Sequence, residues 1–95
     1  MTTIEWSETA SIDLERITDG YADIDPDLPD QMIARVATAA FPLRDNPRLG
    51  APAGAGGLRK WSLRQTPFLL LYVIRGERII VVRVVHRASD WVGLL

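Results

Sequence analysis

The stretch VVRVVHRASDW, Val81–Trp91, gathers most of the groups in this chain that could carry chemistry. It holds the only histidine, two arginines, an aspartate and one of the three tryptophans. An unperturbed imidazole titrates near neutrality, so His86 is the side chain suited to moving a proton at physiological pH. Metal-free cleavage of RNA by a 2′-hydroxyl needs a group to take that proton and another to protonate the leaving oxygen. It also needs cations on the charge that develops at phosphorus. Arg83 and Arg87 meet the last requirement, but alternation along a strand sets Ile80, Val82, Val84 and His86 on one face. Ile79, Val81, Arg83, Val85 and Arg87 then lie on the other. A single histidine facing away from the arginines, with no tyrosine nearby, makes a poor nuclease, and no catalytic residue is assigned.

Plainer roles stand beside the chemical ones. His86 reads as a hydrogen-bonded histidine at the core edge, and Trp61 and Trp91 as core or rim aromatics. Arg59, Lys60 and Arg64 can keep a sheet edge soluble. Arg83 resists such a reading, because a charge inside a valine-rich strand costs stability unless it reaches solvent or a partner. The absence of cysteine excludes a disulfide framework and a thiolate zinc site, and neither a metal nor a cofactor is expected.

The elements that position these groups follow from periodicity. Residues 2–6, TTIEW, form a short strand. Ala10, Leu14, Ile17, Tyr21 and Ile24 then recur as one stripe of a helix over about 8–23, with Ser7 as its N-cap. Asp25-Pro26 signals the start of a second helix, whose stripe is Met32, Val36, Ala39 and Leu43, and Pro42 ends it near Phe41. The segment RDNPRLGAPAGAGG is a connector. It is not a phosphate-binding loop, because no Gly-Lys-Ser/Thr follows it and no helix opens after it. Three strands close the chain: LRKWSLR, the doubly apolar FLLLYVIR, and RIIVVRVVHR after a Gly76-Glu77 turn of type II′. The expected fold is α+β, in the order β-α-α-β-β-β. A helical hairpin packs on a small twisted antiparallel sheet within one domain spanning 1–95.

Charge is divided along the chain. Residues 1–30 hold nine acids against Arg16, a balance of −8, and residues 31–95 hold ten bases against Asp45, Glu77 and Asp90, a balance of +7. The basic portion suits an acidic partner, or the two portions neutralise each other across the fold. The N-terminus lacks the basic and apolar regions of a signal peptide, and no apolar run is long enough to span a bilayer. A cytoplasmic protein without membrane contact is expected.

In order and spacing, IEWSETASIDLERI, NPRLG, GLRKW, LLYVIRGERIIVVRVVHR and the closing DW resemble the RelE/ParE toxins of type II toxin–antitoxin systems. The resemblance covers nearly the whole chain and implies the β-α-α-β-β-β fold. RelE-like members cleave messenger RNA on the ribosome with basic residues and, in many, a C-terminal tyrosine. ParE-like members poison DNA gyrase. Here Trp91 stands where that tyrosine is expected, and LLLY replaces a stretch that often opens with a basic residue, which favours the ParE branch. The resemblance then implies a gyrase-directed toxin without catalysis of its own, neutralised by a ParD-like antitoxin through an acidic or amphipathic segment. A ribosome-dependent messenger-RNA interferase and a non-toxic, antitoxin-binding homologue remain the alternatives. Arg59, Lys60, Arg64, Arg83, His86, Arg87 and Trp91 are the residues expected to bind target or antitoxin.

Overall fold

The computed structural model describes residues 2–94. Strand β1 (Thr3–Trp6) passes through Ser7 into helix α1 (Glu8–Ala22). The Ser7 hydroxyl accepts the Ala10 N–H at 3.0 Å and donates to the Val82 carbonyl at 3.1 Å. It therefore caps the helix and ties its start to the last strand. Ile24, the final member of the expected stripe, lies beyond α1 and is exposed.

Helix α2 (Leu28–Ala40) begins two residues after the position that Asp25-Pro26 suggests. The Asp25 carboxylate instead accepts the Asp27 N–H at 2.9 Å, closing a turn. Pro29 then occupies the first helical turn, where an N–H has no intrahelical partner to lose. The helix stops at Ala40, and Pro42 opens a single turn, α3 (Pro42–Asp45). Met32, Val36, Ala39 and Leu43 are buried, as their spacing requires.

The sheet has five strands in the order β1-β5-β4-β3-β2, with β2 (Ala51–Pro52), β3 (Arg59–Ser62), β4 (Phe68–Arg75) and β5 (Arg78–His86). The expected fold class holds, with two refinements. A two-residue strand inside the connector extends the sheet beside β3, and β1 pairs with β5 in parallel, so the sheet is mixed rather than wholly antiparallel. Strand β4 lies between β5 and β3, which explains why it is apolar on both faces. Gly76 takes φ +61° at the first position of the β4–β5 turn, as a type II′ turn requires.

Strand β5 departs from the strict alternation expected of it. Its register with β4 slips between Leu71↔Arg83 and Tyr72↔Val81, leaving one extra residue on β5. This β-bulge inverts the faces of the first half of the strand. Ile79 and Val81, expected to point outward, are fully buried in the clusters on the helical side. Val82, expected inward, joins Leu69, Leu71 and Val85 on the opposite face. Val84 stays in the helix-facing core, and His86 lies across from Phe68, with which it makes an edge-on ring contact at 5.6 Å. Arg83 sits at the bulge itself.

Tyr72 anchors the connector to the sheet. Its ring is fully buried, and its hydroxyl donates to the Pro47 carbonyl at 2.6 Å and accepts the Gly50 N–H at 2.9 Å. Burial raises the phenol pKa above its ordinary value of 10.0, outweighing the opposing effects of the Gly50 hydrogen bond and the Arg59 charge. A raised acid favours folding while it stays neutral. Its contribution is complete below pH 10.0 and is lost as pH climbs through the folded-state value. Ultraviolet titration should therefore resolve a late-ionising tyrosine that disappears in Tyr72→Phe. Thermal melts above pH 10.0 should fall more steeply for the wild type than for that variant.

Candidate functional site

The residues expected to bind fall into two groups. Arg59, Arg83 and His86 are engaged within the fold. The Arg59 guanidinium donates to the Gly50 carbonyl at 2.7 Å and to the Arg48 carbonyl at 3.3 Å, holding the connector against β3. Arg83 makes a two-pronged ion pair with Asp13 of α1, with Nε–Oδ2 2.8 Å and Nη2–Oδ1 3.0 Å. The outward column of Arg83 and Arg87 read from alternation does not stand free, because Asp13 of α1, at the edge of β5, draws the Arg83 side chain to itself. His86 accepts the Ala88 N–H at Nδ1, 3.0 Å away, which shapes the turn leaving β5 and leaves the neutral ring's proton to Nε2.

Lys60, Arg64, Arg87 and Trp91 come together. They line a groove of 650 Å³ with Leu49 and Leu69. Strand β2 ends at Ala51 opposite Lys60, so the margin of β3 beyond that point has no neighbouring strand. Lys60 pairs across β4 with Leu71, which places it on the sheet face away from the helical hairpin. Arg64 belongs to the turn between β3 and β4. Thr66 braces that turn by donating to the Leu63 carbonyl at 2.9 Å and accepting the Phe68 N–H at 3.2 Å. Arg87 is fixed beside the same turn, with Nη2 donating to the Thr66 carbonyl at 2.6 Å and its N–H to the Pro67 carbonyl at 2.8 Å. Trp91 packs its partly buried ring against the cluster of Leu58, Leu69, Leu71 and Val85.

Three cations thus share one groove that no carboxylate and no histidine lines. Such a groove presents an unneutralised positive field that attracts an anionic partner. It offers no group that exchanges a proton near neutral pH.

The family model described as the ParE toxin of the type II toxin–antitoxin system parDE matches residues 4–91. The chain belongs to the ParE toxin family. Among solved structures, it is similar to a chain of the chromosomal ParDE toxin–antitoxin system from P. aeruginosa. The two are 25% identical with a TM-score of 0.79, over 90% of this chain and 96% of that one. No curated protein matches it in sequence. The ParE branch suggested by Trp91 and by LLLY is therefore the right one.

Two parts of this ParE toxin escaped the sequence reading. Asp13 carries no motif; it is one of nine acids near the N-terminus, and only the tertiary fold brings it to Arg83. The second is an apolar cleft of 540 Å³ between β1 and α2, lined by Ile4, Trp6, Leu14, Ile33, Val36 and Phe41 among others. Ile33 and Phe41 remain 47% and 57% exposed. Ile33 lies beside the buried stripe of α2 rather than within it, and its exposure marks a second surface. Among the described residues no cluster of acidic or histidine side chains could hold a metal, and no helix is long and apolar enough to cross a membrane.

Proposed function

We propose that this ParE toxin arrests growth by binding and poisoning DNA gyrase, and that a cognate antitoxin neutralises it. The observation that carries this reading is the match to the ParE toxin over residues 4–91. The groove adds support, since its three cations have no acid–base partner beside them and so suit recognition rather than bond cleavage. The test uses the purified toxin with gyrase and supercoiled plasmid, and in parallel with ribosomes translating a messenger RNA. Accumulation of gyrase-bound cleaved DNA with intact message is the expected result. Cleaved message with normal gyrase activity would overturn it in favour of an interferase.

The antitoxin contact rests on the apolar cleft. An amphipathic segment laying apolar side chains between β1 and α2 would cover Ile33 and Phe41, a helix-in-groove mode of recognition. Ile33→Asp, at a position already half exposed, should leave growth arrest intact and weaken antitoxin binding about tenfold or more. Titration calorimetry with the antitoxin reads the affinity, and unchanged binding would move the contact elsewhere.

A further inference from the structure

The basic groove does not end at the outer face of the sheet. A second groove of 460 Å³ lies on the helical side, lined by Arg35, Thr38, Trp61, Arg64 and Gln65 among others, and Trp61 and Arg64 line both. Together they make one trough that crosses the uncovered margin of β3, from α2 on one side to Arg87 and Trp91 on the other. Four cations follow its course: Arg35, Arg64, Lys60 and Arg87. No aspartate or glutamate lines either part.

Three of these cations are held in reserve by the fold. The side chains of Arg35, Lys60 and Arg64 are exposed and enter no hydrogen bond or ion pair with any described residue. Outside the trough, Arg59, Arg78 and Arg83 are engaged by carbonyls and carboxylates of the fold. Gln65 in the turn between β3 and β4 holds φ +63°, the only described non-glycine residue at positive φ. Thr66 and Arg87 brace the turn in that shape, so Arg64 stands at a set place where the two grooves meet.

We propose that this trough binds single-stranded nucleic acid. A linear series of four cations, three of them unpaired, matches the repeating charge of a phosphodiester chain. The part-exposed indole of Trp91 beside the groove offers a base a stacking surface, and tracks of this composition hold single strands without reading their sequence. An acidic peptide would satisfy the cations but leave the indole unused. The surface is separate from the apolar cleft between β1 and α2, so a nucleic acid and an amphipathic antitoxin segment have different places to bind. The activity is additional to the contact with gyrase.

The experiment is fluorescence anisotropy of a labelled oligothymidylate of about a dozen nucleotides with the purified chain. If four phosphates are neutralised, affinity should fall about 50-fold between about 50 mM and about 200 mM salt. Lys60→Glu combined with Arg64→Glu should abolish binding at the higher salt and reduce the remaining slope by about half, with circular dichroism unchanged. Arg16→Glu, on α1 outside the trough, should bind as the wild type does. Absence of binding at low salt, or equal binding by the double variant, would overturn the proposal. So would a glutamate-rich peptide that displaces the oligonucleotide and binds more tightly than it, since the trough would then serve a protein partner. Gyrase is absent from this measurement, so a negative result leaves the gyrase reading standing.

Discussion

Replacing Asp13 with alanine should lower the stability of the fold by about 3 kcal/mol, near the lower end of what removing one member of a buried ion pair costs. The Asp13 side chain is 9% exposed, and its carboxylate takes three donors: two from Arg83 and the Val84 N–H at 3.0 Å. The last of these explains why an acid is needed in the middle of α1. The pairing of β1 with β5 reaches only Trp6↔Val81, and Ser7 then takes the Val81 and Val82 carbonyls. Past that point the edge of β5 has no strand beside it, and the Val84 N–H would be buried without an acceptor. Asp13 fills the gap left by β1 and neutralises the arginine at the bulge.

Removing the carboxylate leaves both Arg83 and the Val84 N–H without an acceptor, which is why the expected loss exceeds that of an ordinary hydrogen bond. Arg83 is 25% exposed, so water recovers part of its solvation and the figure stays at the modest end. Denaturant unfolding of Asp13→Ala, Arg83→Met and the double variant measures this directly. The double variant should be clearly less destabilised than the sum of the singles, because each single change strands the other partner. Additive effects, or a loss within about 0.5 kcal/mol for Asp13→Ala, would show that the pair does not hold α1 to β5. The same series separates two roles for Arg83. If it anchors the fold, toxicity and stability should fall together in Arg83→Met.

Gly50→Ala should be of similar size, about 3 kcal/mol or more, from a contact clash combined with two threatened hydrogen bonds. Gly50 has φ −67° and ψ 142°, a conformation open to any residue, so left-handed backbone is not the reason for it. Proximity is. A Cβ there would lie 2.5 Å from the Tyr72 hydroxyl oxygen and 2.8 Å from the Lys60 carbonyl oxygen. The tyrosine ring is fully buried and cannot swing aside, and the Lys60 carbonyl belongs to β3. Relief therefore requires the connector to lift from the sheet. That movement would break the bonds from Tyr72 to Pro47 and Gly50 and draw the Arg59 contacts with it. A thermal melt of Gly50→Ala beside Gly56→Ala isolates the effect. Gly56 has no atom within 4 Å of an added Cβ but has φ +73°, so its loss should reflect backbone strain alone and be the smaller. Equal losses would rule out the clash. Because the connector carries Leu49 and Ala51 into the basic groove, Gly50→Ala should also weaken whatever the groove binds.

These two positions show how far the sequence is legible. NPRLG stood out as a family-like motif, yet nothing in it says that its glycine meets a tyrosine 22 residues later. The tyrosine itself looked like one more apolar residue in FLLLYVIR. Of the residues expected to bind, Lys60, Arg64, Arg87 and Trp91 meet in one groove, while Arg59 and Arg83 are held by carbonyls and a carboxylate of the fold. Arg35 was invisible as a site residue because it lies on α2 and is itself more than twenty positions ahead of Arg59 at the start of β3.

What the sequence by itself determined was everything set by short-range periodicity and local chemistry. That includes the cap at Ser7, the stripes of both helices, the stop at Pro42, the doubly apolar centre strand and the glycine turn at Gly76. Its ordered motifs also carried the ParE branch. Only the tertiary structure decided which residues meet, for a physical reason visible in the first half of β5, from Ile79 to Val82. One inserted residue in β5 shifts the side-chain alternation by one, and periodicity cannot register a shift that arises from pairing with another strand. Arg83 turned to Asp13, seventy residues away across the edge of β5, and Lys60 and Arg64 came together at the uncovered margin of β3.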